Sequence, residues 1–432
     1  MTQSTHNSLL SIVSSDASER LAFVLEMMRE VSRQTDPQEL VEAYGARMQR
    51  IIPYEGFISL SRRDLAFPHY RITRSSRWEE DVNPWKSRDS LPLFNKGFLG
   101  DLIYGEKPVV IDNFEPSRDD PAYEYLEGFP SLVAIPMFDQ GRALNMIVIQ
   151  RRGAHQFSRD LLPEHLWVSN LFGRMTHNLV LTGELRDAYQ VVDRELQIVA
   201  DIQRSLLPVK VPPIPTLDLA VHYQTSRRAG GDYYDFFELP DGRWGLLIAD
   251  VSGHGTPAAV IMAVTHSIAH TLNDEPDPPS RLMDFINRHL TARYTNGNGT
   301  FVTAFYGIYD PKKRTLAYSN AGHNPPRFKR DGRIISLEGG HNLPLGIDPD
   351  ERYTDSVQTF TAGDSIVFYT DGITEARSPI GGLLGTERLD DVIGEAKGCA
   401  NSVLSAILKV VEDFTAGTAP TDDRTLLVAN VT

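Results

Sequence analysis

The chain reads as a mixed α/β protein of two folded parts joined by one long helix. Three observations predict this. Short apolar runs of strand length alternate with runs of helical spacing along most of the 432 residues. Pro163 to Leu207 continues without a Gly–Pro break and repeats apolar or small side chains at heptad spacing. Beyond that helix, apolar strands repeatedly end on an aspartate.

The totals exclude several function classes. A net charge of −14 argues against non-specific nucleic-acid binding and against an anionic membrane surface. Cys399 is the one cysteine, so an intrachain disulfide and any multi-cysteine zinc or iron–sulfur site are excluded. No apolar run is long enough to span a bilayer. The opening MTQSTHNSLLSIVSSDASER has no basic start and only a feeble apolar patch, so it makes a poor secretion signal. The expectation is a cytoplasmic protein with a disordered tail over residues 1 to 18, with no nucleic-acid and no membrane partner.

In chain order, Ala22 to Ile52 has helical spacing. Asp36-Pro37 breaks it, and Pro37 suits the first turn of a second helix. Phe57 to Ser61 and Tyr70 to Thr73 read as paired strands. A variable middle carries Trp78, Trp85, Phe94 and Phe98, then a helix near Gly100 to Gly105 and a strand over Pro108 to Ile111. Ser131 to Phe138 and Ala143 to Gln150 form a hairpin about Asp139-Gln140-Gly141-Arg142. This order, with Phe98-Leu99-Gly100 and Lys107-Pro108-Val109-Val110-Ile111 as its most typical pieces, resembles a GAF domain. The resemblance covers residues 19–181 and implies a small-molecule sensor. No ligand is identified. The aromatics Trp78, Trp85, Phe94 and Tyr104 could line a pocket but read better as core, and the lack of cysteine here excludes a covalent bilin.

The long helix, taken as 163–207, overlaps the end of that domain. Leu171, Met175, Thr182, Leu185, Tyr189, Val192, Leu196 and Val199 recur at steps of three, four and seven, with Asn178 in the seam. This favours a parallel two-stranded coiled coil, hence a homodimer, over a stripe packed on its own domain. Pro208 and the Pro-rich stretch to Thr216 make a short stiff link.

Residues 209–432 form the second part. Leu217 to Tyr223 is a strand. Phe236 to Leu239 and Trp244 to Ala249 form a hairpin whose turn, Pro240-Asp241-Gly242-Arg243, has Pro to preset φ and Gly to accept a positive one. Folding back, the hairpin brings Asp232, with Asp235 nearby, towards Asp250. Two carboxylates at about 4 Å repel by about 4 kcal/mol at an effective dielectric of 20, so such a pair calls for a proton or a cation between them. Helices follow over Ala258 to Thr271 and Ser280 to Arg293. Strands follow over Thr303 to Asp310, Thr315 to Asn320, a hairpin Phe328 to Leu337, and Ser365 to Thr370. A helix over Ser402 to Phe414 and a strand over Thr425 to Val431 complete the series. Asp250, Asp371 and Asp422-Asp423 each flank an apolar strand. One Asp-Gly is most often a turn, but four such aspartates in one domain point to oxygen ligands for a hard cation, Mg²⁺ or Mn²⁺. A P-loop and a Rossmann glycine fingerprint are both lacking, which leaves a nucleotide-binding enzyme without support.

The segments GGDYYDF, ADVSGHG, FVTAFYG, YSNAGHNPP, PLG, YTDGITEAR and DDRTLLV, in this order, resemble the metal-dependent protein phosphatases of the PPM family, in their bacterial SpoIIE-like branch. The resemblance spans Leu196 to Val431. It implies an α/β/β/α sandwich and a serine/threonine phosphatase with two Mn²⁺ or Mg²⁺ ions. Carried over by position, Asp250 bridges the ions, Asp232 and the Val251 carbonyl complete one, and Asp371 with Asp422 or Asp423 holds the other, Asp422 being favoured. Water on such ions drops to a pKa of about 7 and attacks in line. Arg227 and Arg228 are candidate phosphate contacts. His254 and His323 read as structural groups rather than acids, and Asn320 and Gly322 as loop-shaping. The branch implies a phosphorylated STAS (anti-anti-sigma) protein as substrate. A catalytically silent scaffold of the same fold is the alternative, which the complete acidic set disfavours.

Overall fold

The computed structural model describes residues 25, 26, 28, 29, 32–79, 82–272, 277–297 and 299–432. The tail expected over residues 1–18 lies outside them. The chain forms two compact units that divide between Tyr189 and Gln190. Among the described residues, no helix is long and apolar enough to cross a membrane.

In the first unit, Asp36 caps helix α1 (Pro37–Ile51), its Oδ1 accepting the Gln38 and Glu39 amides, as the Asp-Pro pair predicted. Six strands follow: β1 (Gly56–Ser61), β2 (Tyr70–Ser75), β3 (Leu93–Phe94), β4 (Val109–Ile111), β5 (Ser131–Asp139) and β6 (Arg142–Arg151). They make one antiparallel sheet in the order β3-β2-β1-β6-β5-β4. The β5–β6 turn is Gln140-Gly141, both at positive φ, as a two-residue hairpin turn requires. One face of the sheet buries Ile58, Leu60, Tyr70 and Val148 under helices α2 (Phe98–Gly105) and α3 (Tyr123–Leu126). The other buries Val133, Ile135 and Ile149 under α1 and the start of helix α4 (Leu162–Ser205), where Tyr44 stacks on Phe172 at 3.6 Å. Trp78, Phe94 and Tyr104 pack on the first of these cores, while Trp85 stays 38% exposed under the Arg74 guanidinium.

Helix α4 runs 44 residues, close to the expected span. Its middle carries large apolar side chains in the open: Leu185 is 58%, Tyr189 68% and Val192 53% exposed.

The second unit is a four-layer sandwich. Strands β7 (Leu217–Gln224), β8 (Tyr233–Glu238), β9 (Trp244–Val251), β10 (Val302–Asp310), β11 (Thr315–Ala321), β12 (Arg327–Arg330), β13 (Arg333–Ser336), β14 (His341–Asn342), β15 (Ser356–Thr359), β16 (Ser365–Tyr369) and β17 (Arg424–Val431) form two sheets. One runs β14-β11-β10-β9-β8 with β15 beside β11; the other runs β13-β12-β16-β17-β7. Their facing sides interlock Leu246, Ile248, Phe305 and Tyr318 with Phe328, Phe368, Leu427 and Val431. Helices α5 (Thr256–Ala269) and α6 (Pro279–Leu290) cover the first sheet through Met262, Met283 and Ile286. Helices α8 (Gly385–Glu395) and α9 (Ala400–Thr415) cover the second through Ile393, Ile407 and Val411; a single turn, α7 (Asp371–Thr374), follows β16. Helix α8 was not anticipated. It begins in a glycine-rich loop and buries only Leu389 and Ile393, too few positions to establish a period.

Candidate active site

The site lies where β8, β9, β16 and β17 end. Strands β8 and β9 pair antiparallel from Glu238↔Trp244 to Tyr233↔Ala249, so one residue further on Asp232 and Asp250 face each other across the hairpin. The other sheet supplies Asp371 directly after β16 and Asp422-Asp423 directly before β17. β16 and β17 are neighbours, Tyr369 opposite Leu426, so these acids share one edge.

Asp232 ties the two sheets together. It is 1% exposed, and its Oδ2 accepts the Thr370 hydroxyl at 2.7 Å and the Thr425 hydroxyl at 2.6 Å. The Thr425 amide donates in turn to Thr370 Oγ1 at 2.9 Å. Asp423 is also buried, and the glycine loop takes up both its oxygens. Oδ1 accepts the Ser226 amide at 2.7 Å, and Oδ2 the Gly231 amide at 2.7 Å. A Cβ on Gly230 would overlap the Asp423 carboxylate, and one on Gly231 would lie 3.0 Å from the Val251 carbonyl oxygen, so glycine lets both backbones approach. Gly372 is tighter still, since a Cβ there would overlap the Asp423 carbonyl.

The electrostatics follow from burial and from like charge. Burial raises the carboxyls of Asp232 and Asp250, and their neighbours add to it: Asp423 and Asp371 for Asp232, and Asp232, Asp371, Asp422 and Asp423 for Asp250. Burial first, then Asp422 and Glu375, push Asp371 up to about 6. Burial raises Asp423 as well, against the hydrogen bonds it accepts. Such a group of acids holds protons at neutral pH or exchanges them for cations.

The remaining candidates are placed apart from this cluster or in support of it. Arg228 is engaged by helix α4, pairing with Asp193 at 2.7 Å and donating to Gln197 at 2.7 Å. Arg227 runs past Gly255, its Cδ 3.6 Å from where a Cβ would stand. His254 is exposed. His323 is 2% exposed, shares a 2.9 Å hydrogen bond between Nδ1 and Thr303 Oγ1, and is held down to about 4 by burial. Asn320 clasps the His323 backbone through both amide atoms, and Gly322 turns at a φ of +68°. Sequence reasoning missed Thr370 and Thr425, although each stands within two residues of a singled-out aspartate. It also missed His266 in the last turn of α5 and His270 at its C-cap, which meet Asp235.

Comparison with known proteins agrees with this architecture. The family model described as Stage II sporulation protein E (SpoIIE) matches residues 240–432. Phosphoserine phosphatase RsbU of Bacillus subtilis is 32% identical over 251 residues, covering 56% of this chain and 72% of that protein. Phosphoserine phosphatase RsbP of the same organism is 27% identical over 186 residues, covering 42% of this chain and 45% of that protein. Among solved structures, the SiaA-PP2C domain of Pseudomonas aeruginosa superposes with a TM-score of 0.50 at 20% identity, covering 57% of this chain and 99% of that domain, a likeness of fold. With the sandwich and its acidic edge in place, the chain belongs to the SpoIIE family and is a protein serine/threonine phosphatase.

Proposed function

We propose that the chain is a signal-regulated, metal-dependent phosphatase acting on phosphoserine or phosphothreonine of a STAS-type anti-anti-sigma protein in a partner-switching pathway. The observation that carries the metal-dependent chemistry is the convergence of Asp232, Asp250, Asp371 and Asp422 from adjoining ends of the two sheets, where burial and nearby carboxylates raise the proton affinity of Asp232, Asp250 and Asp371. The donor set is all oxygen, which suits Mg²⁺ or Mn²⁺. When bound, such ions supply a water ionised near neutral pH and neutralise phosphoryl charge.

The chain's own groups divide the work. Asp250 stands between the two sides of the site. Asp232, its Oδ2 fixed by Thr370 and Thr425, offers Oδ1, and the Val251 carbonyl joins it. Asp371 acts with Asp422. Asp423 anchors the Gly230-Gly231 loop, and this favours Asp422 as the direct ligand. Arg227 remains to grip phosphate, because Arg228 is held by Asp193.

The first unit acts as a GAF-like sensor for a small molecule, a reading supported by its six-stranded antiparallel sheet with helices on both faces. Helix α4 joins two copies of the chain. The exposed Leu185, Tyr189 and Val192 support this, and Leu185→Asp with Val192→Asp should convert a dimer to a monomer in sedimentation.

The deciding experiment follows Mn²⁺-dependent phosphate release from a panel of phosphoserine STAS proteins. Asp250→Asn and Asp371→Asn should abolish release while circular dichroism stays native. Wild-type turnover in either variant defeats the assignment. Manganese binding without turnover of any substrate favours the silent scaffold.

A further inference from the structure

A second cluster of ligand-type side chains lies on the outer face of the same sheet. Helix α5 carries His266 in its last turn and is capped by His270, four residues on and still at right-handed helical φ/ψ, which puts both imidazoles on one face. That face meets Asp235 on β8. His270 Nε2 lies 2.8 Å from Asp235 Oδ2, and the two imidazole centroids are 4.4 Å apart. Among the described residues, these form the one set of three whose candidate ligand atoms all lie within 4.8 Å of one another.

Three features make this more than a chance meeting. Asp235 is 7% exposed and is oriented: the Tyr233 hydroxyl donates to Oδ2 at 2.6 Å and the Phe236 amide to Oδ1 at 2.7 Å. Such outer contacts fix a ligating carboxylate. His266 is braced edge-on against the Tyr233 ring at 5.6 Å, and its buried Nδ1 has no hydrogen-bond partner. The His270 side chain is 44% exposed, which leaves a way in for an ion and room for water as a fourth ligand. Ligand atoms around a tetrahedral zinc with bonds of ~2.0–2.1 Å stand ~3.4 Å apart, so a small ring rotation closes the set.

We propose that Asp235, His266 and His270 form a second metal site, selective for Zn²⁺ or another late first-row divalent ion and separate from the acidic edge. Two imidazoles and one carboxylate favour that class, whereas the all-oxygen edge favours Mg²⁺ or Mn²⁺. The site's effect is mechanical: the ion staples α5 to β8, the strand that begins directly after Asp232.

The test uses the full chain in millimolar Mg²⁺, with Zn²⁺ titrated in competition with a chromophoric chelator and Co²⁺ as a spectroscopic probe. One Zn²⁺ per chain should be retained against Mg²⁺, and it should raise the unfolding temperature. Affinity should fall about tenfold or more in His266→Ala and in the exposed, conservative His270→Gln. Both variants should keep Mg²⁺-dependent phosphatase activity, and Asp371→Asn should keep the Zn²⁺. Three results overturn the proposal: no Zn²⁺ retained in Mg²⁺, Zn²⁺ held equally by both histidine variants, or Zn²⁺ lost in Asp371→Asn.

Discussion

Replacing Asp371 by Asn should stabilise the metal-free protein, and the gain should grow with pH. Its folded-state carboxyl is pushed up to about 6, first by burial and then by Asp422 and Glu375. The unfolded chain releases that proton near 4, so between the two values folding retains a proton that unfolding gives up. The native state therefore has its full stability below the ordinary carboxylate range and loses part of it as pH rises through about 6. A displacement of about two pH units corresponds to about 3 kcal/mol, and partial exposure halves the working figure to ~1.5 kcal/mol. For a unit of this size that is about 3–6 °C in unfolding temperature. The assay is thermal unfolding in a chelator, wild type beside Asp371→Asn, at intervals from about pH 4 to about pH 7.5. The difference is read rather than either curve. Burial holds His323 down to about 4, which destabilises both proteins as pH falls below the ordinary histidine range and cancels in the comparison. Millimolar Mn²⁺ should reverse the order, because the wild-type carboxylate gains a cation that the amide binds poorly. A difference that stays flat with pH, or a wild type that is the more stable at neutral pH without metal, refutes the reasoning.

Other outcomes follow from single contacts. Gly372→Ala puts a Cβ into the Asp423 carbonyl, a backbone atom that cannot rotate away, and should cost ~1–3 kcal/mol in unfolding experiments together with most of the turnover. Thr425→Val removes a 2.6 Å hydrogen bond to Asp232 and should cost about 1–3 kcal/mol; the activation curve should shift to higher Mn²⁺. Arg227→Ala should raise KM for a phosphoprotein. Arg228→Ala, which breaks a half-exposed pair with Asp193, should leave KM unchanged and cost about 0–1 kcal/mol of stability.

Local chemistry made much of this legible in the sequence. Pro240 to Arg243 marked the hairpin, and the hairpin alone implied that Asp232 and Asp250 meet. Asp36-Pro37 marked the start of α1, and Gln140-Gly141 the tightest turn of the first sheet. What escaped notice depends on partners far away in the chain. Asp422 and Asp423 are chemically alike; motif position favours Asp422, but the role of Asp423 depends on amides almost two hundred positions earlier, at Ser226 and Gly231. Thr370 and Thr425 matter through Asp232, at separations of 138 and 193 residues. The short edge strands β14 and β15, two and four residues long, are too brief for alternation to register. His266 and His270 stood at a visible spacing, but nothing nearby in sequence pointed to Asp235.

β17 follows every other element in the chain, yet it sits inside its sheet, between β16 and β7. A ribosome therefore exposes Asp232, Asp250 and Asp371 well before the strand that must slot between two waiting neighbours. Until it does, Asp232 lacks the Thr425 hydroxyl and the glycine loop lacks its Asp423 anchor. A chain truncated before β17 should therefore release no phosphate, because both contacts are lost together.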